Sequence, residues 1–121
     1  MATITITGDL ADDPETIQIH GGQQVTRLRV VETQRRQNPE TGEWEDAEPN
    51  VYRVQARGRL SDRIAQSTSR GSSVDIVGHI VTDAWTDKET GQKQTAQVVV
   101  ADEIGPSLKS HSAQAADTPQ S

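Results

Sequence analysis

The chain has 121 residues, a usual length for one domain with a single small core. Its formal charge is −6, 31% of its residues are hydrophobic and only three are aromatic, so a core must be built mainly from Val, Ile and Leu. The absence of cysteine excludes disulfides and thiolate metal sites, and no run approaches the roughly 18 apolar residues that a membrane span needs.

Alternating apolar and polar residues predict β-strands along most of the chain. Between positions 3 and 10, Ile4, Ile6 and Leu10 share one face, and Thr5 and Thr7 share the other. The remaining predicted strands are a short one at 17–19, which Gly21-Gly22 turns back as a hairpin, and longer ones at 25–32, 51–59, 74–83 and 95–104. The core-facing residues predicted for the second and third long strands are Thr26, Leu28 and Val30, and then Tyr52, Val54 and Ala56.

A short helix is predicted at 60–69, between the third and fourth of the long strands. Its N-terminus is marked by Ser61 and Asp62, either of which is a suitable capping residue. Gly71 follows the last predicted turn and is expected to terminate the helix. The helix is therefore the one interruption that we expect in a chain of strands.

Three segments carry neither a strand nor a helix pattern. Residues 33–49 are polar and rich in turn formers, so we expect a long mobile loop there. Residues 87–91 are expected to form the tip of a hairpin between the last two strands. Residues 110–121 contain no core-forming residue, so a disordered C-terminal tail is expected to follow a domain at 1–109.

This order of elements predicts an all-β chain with the oligonucleotide-binding (OB) fold, a five-stranded Greek-key barrel with one helix between its third and fourth strands. Barrels of this type bind oligonucleotides on the face of the second and third strands. Nine of the twelve basic residues lie in 27–70, around those strands, and all nine are arginines. Because arginine binds phosphate with two hydrogen bonds and also stacks on bases, the pattern indicates a nucleic-acid surface despite the net negative charge.

Several segments resemble one known family in order and spacing. They are 6–10 (ITGDL), 13–15 (DPE), 40–43 (ETGE), 52–54 (YRV), 57–60 (RGRL), 70–80 (RGSSVDIVGHI), 85–87 (WTD) and 91–92 (GQ). On these segments residues 3–108 resemble the bacterial single-stranded-DNA-binding protein family. The resemblance implies sequence-independent binding of single-stranded DNA in replication, recombination or repair, beside the nucleoid in the cytoplasm.

The chain departs from the family at the positions where bases stack on aromatic side chains. Trp85 keeps the aromatic position of the last hairpin, but Arg35 or Arg36 ends the second long strand, and Val51 and Arg57 stand in the third. Stacking on an aromatic side chain is worth about 1–3 kcal/mol per base, so weaker binding is expected. These differences suggest a divergent paralogue or a plasmid or phage version of the family.

The candidate DNA-binding residues combine the arginines around the central strands with nearby aromatic, amide and lysine side chains. They are Arg27, Arg29, Arg35, Arg36, Trp44, Arg53, Gln55, Arg57, Arg59, Trp85, Lys88 and Lys93. Trp44 lies in a charged segment, where it either stacks on a base or packs on the barrel. Tyr52 is expected to belong to the core instead.

No catalytic motif is evident, so an enzyme is not expected. His20, His79 and His111 lack metal-ligand spacing, and neither a metal nor a cofactor is predicted. The N-terminus resembles neither a secretory signal nor a membrane anchor. Two function classes remain, a single-strand DNA binder and an OB module that binds other proteins with weak or no affinity for DNA.

The expected partners are single-stranded DNA and further copies of this chain. The resemblance implies a homotetramer built from dimers, with strands near the N-terminus paired across an interface. An apolar patch of Val77, Val81 and Val99 on the outer face of the last two strands is a second reason to expect assembly. The acidic C-terminal tip with which the family recruits other proteins has no counterpart in residues 117–121.

Overall fold

A computed structural model describes residues 2–109, which fold into six strands and one helix. The predicted tail at 110–121, with His111, lies outside the described residues. The strands are β1 (Thr3–Leu10), β2 (Glu15–Gln18), β3 (Gln24–Gln37), β4 (Trp44–Arg57), β5 (Ser73–Thr86) and β6 (Lys93–Pro106), and the helix is α1 (Arg59–Ser67). A single 3-10 turn, His20–Gly22, joins β2 to β3.

The strands form one sheet that closes on itself. Its order is β1-β5-β6-β4-β3-β2, and a further pairing of β1 with β3 completes the ring. The strand pairs are antiparallel except β4 with β6, which run parallel at Val54↔Val99 and Gln55↔Val100. The predicted fold is therefore confirmed as a barrel of five main strands, β1, β3, β4, β5 and β6, with the helix between the third and the fourth. The short strand β2 extends the sheet beside β3.

The core lies inside the barrel and consists of aliphatic side chains from every main strand. Ile6, Val30, Val54 and Ile76 are almost completely buried, and Ile64 of α1 joins them from one end. The predicted core faces of β3 and β4 are thus confirmed, with Tyr52 half-buried at the edge of the same cluster. This packing leaves the alternate residues of β3 and β4 on the outside of the barrel.

Barrel closure brings two backbones very close together at Gly8. A Cβ atom on this residue would lie 2.5 Å from the carbonyl oxygen of Val31 in β3, a distance that no side chain tolerates. The turn of β1 towards β3, which pairs Asp9 with Val31 and Leu10 with Val30, therefore requires glycine at this position.

The helix α1 closes the end of the barrel, but the predicted caps are wrong. Gly58 is the N-cap residue and no side chain caps the helix. The Ser61 hydroxyl is buried, where it shares a hydrogen bond with the Thr26 hydroxyl of β3. Asp62 accepts a hydrogen bond of 2.6 Å from the amide of Gln24. Both side chains thus bind β3 instead of the helix terminus, an arrangement that depends on the packing of α1 on the barrel.

The end of α1 also differs from the prediction. The last helical residue is Ser67, and the backbone N–H of Thr68 donates to the carbonyl of Ile64 over 3.0 Å. Gly71 lies further along, in the turn into β5, where its φ of +88° favours glycine. Within the described residues, 2–109, no helix is both long and apolar enough to cross a membrane.

The long loop predicted at 33–49 is wrong, because most of it is an extension of the β3–β4 hairpin. Pairing continues from Gln34↔Ala47 to Gln37↔Trp44, past a bulge between Glu32 and Gln34. Only residues 38–43 form the turn. We call residues 33–50 the arm. Because both faces of the arm are largely exposed, its residues lack the apolar alternation from which a strand is predicted.

The β5–β6 hairpin ends in a turn of the same construction. The side-chain oxygen Oδ1 of Asn38 accepts from the backbone N–H of Glu40 in one turn, and that of Asp87 accepts from Glu89 in the other, both over 2.8 Å. In each turn the fifth residue is a glycine with φ above +70°. The predicted tip at 87–91 is confirmed, although β5 and β6 extend further towards it than expected.

The predicted outward position of Val99 is also wrong. Val99 is only 5% exposed and belongs to the core cluster, whereas Val77 is half-buried and Val81 is exposed. Three consecutive valines, 98–100, carry no alternation, so the sequence does not show which of them faces the core. The expected apolar patch on the outside of β5 and β6 is therefore smaller than predicted.

Candidate nucleic-acid interface

The outward residues of β3 and β4 place arginines side by side on the barrel. We call this surface, residues 25–31 and 51–57, the wall. Arg29 lies directly opposite Arg53, and Arg27 lies opposite Gln55. Side chains in directly opposite positions of an antiparallel pair are about 5 Å apart at Cβ, so the charges of Arg29 and Arg53 repel each other unless an anion lies between or beside them.

The wall borders an elongated depression between it and the base of the β5–β6 hairpin. Two adjoining clefts, of about 440 Å³ and about 220 Å³, share Arg27, Gln55, Asp83 and Val98 in their linings. We call the two together the groove. The other polar and aromatic residues that line it are Asp12, Asp13, Glu15, Arg29, Arg53, Arg57 and Trp85. A depression of this length and polarity fits an extended polar chain better than a compact apolar ligand.

The groove contains as many carboxylates as guanidinium groups. The arginines are Arg27, Arg29, Arg53 and Arg57, and the acids are Asp12, Asp13, Glu15 and Asp83. Asp12 forms an ion pair of 2.7 Å with Arg29, which removes part of its repulsion from Arg53. Among the described residues, no carboxylate inside or outside the groove forms an ion pair with Arg27, Arg53 or Arg57.

These four acids were not among the residues predicted for the site. Asp12 and Asp13 precede Pro14 in the sequence and are typical of a loop, and Asp83 was expected at the end of a strand. Glu15 lies directly opposite Arg27 in the β2–β3 hairpin. Closure of the barrel accounts for the other three acids, because it brings the turn after β1 and the last part of β5 next to the wall. No local signal in the sequence marks Asp12, Asp13 or Asp83.

Trp85 is the one aromatic side chain that lines the groove. It projects from β5 on the same side as Val81 and Asp83 and is 46% exposed. A half-exposed indole beside arginines offers a flat surface on which a base can stack. Trp85, Gln55 and four of the predicted arginines, Arg27, Arg29, Arg53 and Arg57, therefore come together at one place.

The other predicted residues lie outside the groove lining. In the arm, Arg35 forms an ion pair with Asp46 at 3.6 Å, and Arg36 forms one with Glu45 at 3.2 Å. Trp44 is the first residue of β4, beside the turn at the tip of the arm, and it is 62% exposed, so it does not pack on the barrel. Lys88 and Lys93 are exposed at the β5–β6 turn, and Arg59 is exposed at the first position of α1.

A small polar cluster marks the boundary between the wall and the arm. The Glu32 carboxylate accepts hydrogen bonds from the Tyr52 hydroxyl at 3.4 Å and from the Asn50 amide at 3.1 Å. Burial, and after it the negative charge of Glu32, raises the pKa of Tyr52 above its ordinary value of 10.0. At neutral pH the phenol is therefore protonated and donates to Glu32. In residues 2–109 no three side chains of His, Asp or Glu come together as a metal-binding group.

Comparisons with known proteins bear on the family and the fold of the chain. The model of the single-strand binding protein family matches residues 1–107. A single-stranded DNA-binding protein of Mycolicibacterium smegmatis is 36% identical over 107 residues, which are 88% of this chain and 64% of that protein. The chain thus spans a little less than two thirds of the length of this relative.

Two solved structures share the fold. A small single-stranded DNA-binding protein from Streptomyces coelicolor superposes with a TM-score of 0.69 at 25% identity, over 88% of this chain and 94% of that one. A deletion variant of the single-stranded DNA binding protein from Thermus aquaticus superposes with a TM-score of 0.75 at 19% identity, over 91% of this chain and 52% of that one. The second likeness supports the fold alone.

Proposed function

Because the chain belongs to the single-strand binding protein family, we propose that it binds single-stranded DNA along the groove, with no defined sequence motif and with no catalytic step. The observation that carries the proposal is the pair Arg29 and Arg53, which face each other on the wall within reach of Trp85. Asp12 compensates Arg29 only, so a phosphate beside this pair neutralises Arg53, which has no ion pair in the described chain. The indole supplies a stacking surface for the adjoining base.

The remaining candidate residues are proposed to contact DNA only where a strand leaves the groove. This group consists of Arg35, Arg36, Trp44, Arg59, Lys88 and Lys93. In the arm the two arginines already have carboxylate partners, so a phosphate that binds there must displace an acid. We therefore assign most of the binding free energy to the wall. In the cell, this activity would serve replication, recombination or repair beside the nucleoid.

The test is a salt titration with a labelled oligothymidine, followed by fluorescence anisotropy and by quenching of tryptophan emission. For single strands, log K changes with log salt by about −0.7 per phosphate contacted, so three or four free or displaceable arginines give a slope of roughly −2 to −3. Binding at low salt with a slope in this range supports the proposal. Absence of binding at low salt, or an affinity that does not respond to salt, contradicts it.

A second function, binding of another protein through the same groove, is favoured by the charge balance. Four acids accompany four arginines in the groove, and the whole chain carries a charge of −6, neither of which attracts a polyanion at long range. The titration separates the two functions, because a protein-binding groove leaves the anisotropy of the oligonucleotide unchanged at every salt concentration.

Self-assembly is proposed through the first strand. One edge of β1 pairs with β5 along its length, but the other edge pairs with β3 only at Asp9 and Leu10. An open strand edge is a surface on which a second copy can add its own β1. Light scattering at micromolar concentration is expected to give two or four times the chain mass of 13.2 kDa. The chain mass itself would contradict assembly.

A further inference from the structure

Asp83 occupies the middle of the groove without a charged partner. It lines both clefts, across from Arg27 and Gln55, and its side chain is exposed. Within the described residues it forms no ion pair, unlike Asp12, which neutralises Arg29. Glu15 is also without an ion pair in the described chain, but of these two acids only Asp83 lies on the strand that carries Trp85. The carboxylate oxygens of Asp83 are free to accept hydrogen bonds from a ligand in the groove.

A phosphate is a poor neighbour for this carboxylate. Two anions at close range repel each other, so a bound strand must direct its phosphates towards the arginines of the wall and away from Asp83. The bases then lie on the Asp83 side of the groove. Trp85 is two residues further along the same face of β5, a separation of about 6.7 Å, so a base that stacks on the indole presents its edge near the carboxylate.

We propose that Asp83 selects bases that carry an exocyclic amine on their pairing edge, such as cytosine, over uracil and thymine. The N4 amine of cytosine donates to a carboxylate oxygen, whereas uracil and thymine present the O4 oxygen at that position and are repelled. The inference rests on the proposed function and concerns the base composition that the groove prefers. This preference does not require a sequence motif, because one carboxylate contacts one base and specifies no order of neighbouring bases.

The experiment compares oligocytidine with oligouridine on a deoxyribose backbone, at a length of about 16 nucleotides. These two bases differ at the N4 amine and the O4 oxygen and, unlike thymine, neither has a methyl group. The full chain is expected to bind the cytosine strand about fivefold more tightly. A third strand of N4,N4-dimethylcytosine, which keeps the ring but lacks the donor, is expected to bind about as weakly as the uracil strand.

The test variants are Asp83→Asn and Asp83→Ala, with Glu103→Gln as a matched control. Glu103 is an exposed acid of β6 outside the groove lining, so its replacement removes a negative charge without altering the groove. The asparagine amide either donates or accepts, so the preference for cytosine falls to about one, mainly through tighter binding of the uracil strand. Glu103→Gln is expected to keep the preference of the unmodified chain.

The outcomes distinguish this inference from the proposed function. Equal affinity of the unmodified chain for the cytosine and uracil strands overturns the role of Asp83 and leaves single-strand binding intact. An equal increase in the affinity of Asp83→Asn for both strands also overturns it, because that result is expected of a carboxylate that only repels phosphate. If neither strand binds the unmodified chain at low salt, the proposed function fails as well.

Discussion

The two halves of the β3–β4 hairpin carry the same kind of residue in opposite electrostatic situations. In the wall, Arg29 lies opposite Arg53 and the other side of the sheet is buried in the core. In the arm, Arg35 lies opposite Asp46 and Arg36 lies opposite Glu45, while both sides of the ribbon are largely exposed. A count of arginines along the chain treats the two halves as equal.

The difference shows that cross-strand partners, more than the number of basic residues, determine where an anion binds. Each arginine in the arm has a carboxylate within 4 Å. A phosphate that binds there replaces this carboxylate, so the binding free energy is only the difference between the two ion pairs. In the wall only Arg29 has such a partner, Asp12, whereas Arg27, Arg53 and Arg57 form no ion pair within the described residues, so a phosphate gains more there.

The first prediction concerns stability in the barrel and in the arm. Ile76→Ala removes a fully buried side chain and is expected to lower the free energy of unfolding by about 2–5 kcal/mol. Trp44→Ala, on the exposed arm, is expected to change it by about 0.5 kcal/mol or less. Urea unfolding monitored by circular dichroism measures both. A loss of stability in Trp44→Ala as large as that in Ile76→Ala would mean that the arm packs on another part of the chain.

The second prediction concerns the arginines themselves. Replacing Arg53 and Arg57 with Ala is expected to weaken binding of oligothymidine roughly 25-fold at about 0.1 M salt and to reduce the salt slope by about 1.4, the value for two phosphate contacts. Both side chains point away from the core, so the folded structure is retained. The matched control is the double replacement of Arg35 and Arg36 with Ala, for which we expect little change. Equal effects of the two pairs would remove the distinction between wall and arm.

The third prediction uses the two tryptophans. Trp85→Ala is expected to weaken binding about tenfold and to abolish most of the quenching of tryptophan emission by DNA. Trp44→Ala is expected to retain both the affinity and the quenching, because Trp44 lies outside the groove. Anisotropy and emission titrations with the same oligonucleotide measure the two effects. Quenching that disappears with Trp44 instead would place the bound strand on the arm.

The smallest effect is expected at the boundary cluster of Tyr52, Glu32 and Asn50. Because the pKa of Tyr52 is higher in the folded chain than its ordinary value of 10.0, the folded state holds the phenolic proton more tightly than the unfolded state. Its contribution to stability is thus complete below pH 10 and is lost as the pH rises through the folded pKa. Between neutral pH and pH 11, the free energy of unfolding is expected to fall less steeply with pH in Tyr52→Phe than in the unmodified chain. Identical falls in the two proteins would contradict the assignment.

Local alternation in the sequence was enough to predict the barrel strands and their core faces. Thr26, Leu28 and Val30 are buried as expected, and the outward positions of Arg27, Arg29, Arg53 and Arg57 follow from the same period of two. The order of these elements along the chain then predicted the OB fold, and the resemblance to the family agreed with it. Where alternation was missing, in the arm and at residues 98–100, the predictions were wrong.

Only the tertiary structure decided which charges meet. Asp12 is 17 positions from Arg29 in the sequence, and Asp83 is further still from Arg27, yet barrel closure places them in one groove. The buried bond between Ser61 and Thr26 arises in the same way, from the packing of α1 on β3. The alternation of apolar and polar residues along a strand shows whether one of its faces is buried, because successive side chains of a strand point to opposite faces. Partners within one hairpin, such as Arg29 and Arg53, follow from the hairpin register. Partners from distant strands depend on closure of the barrel, which the local sequence does not encode.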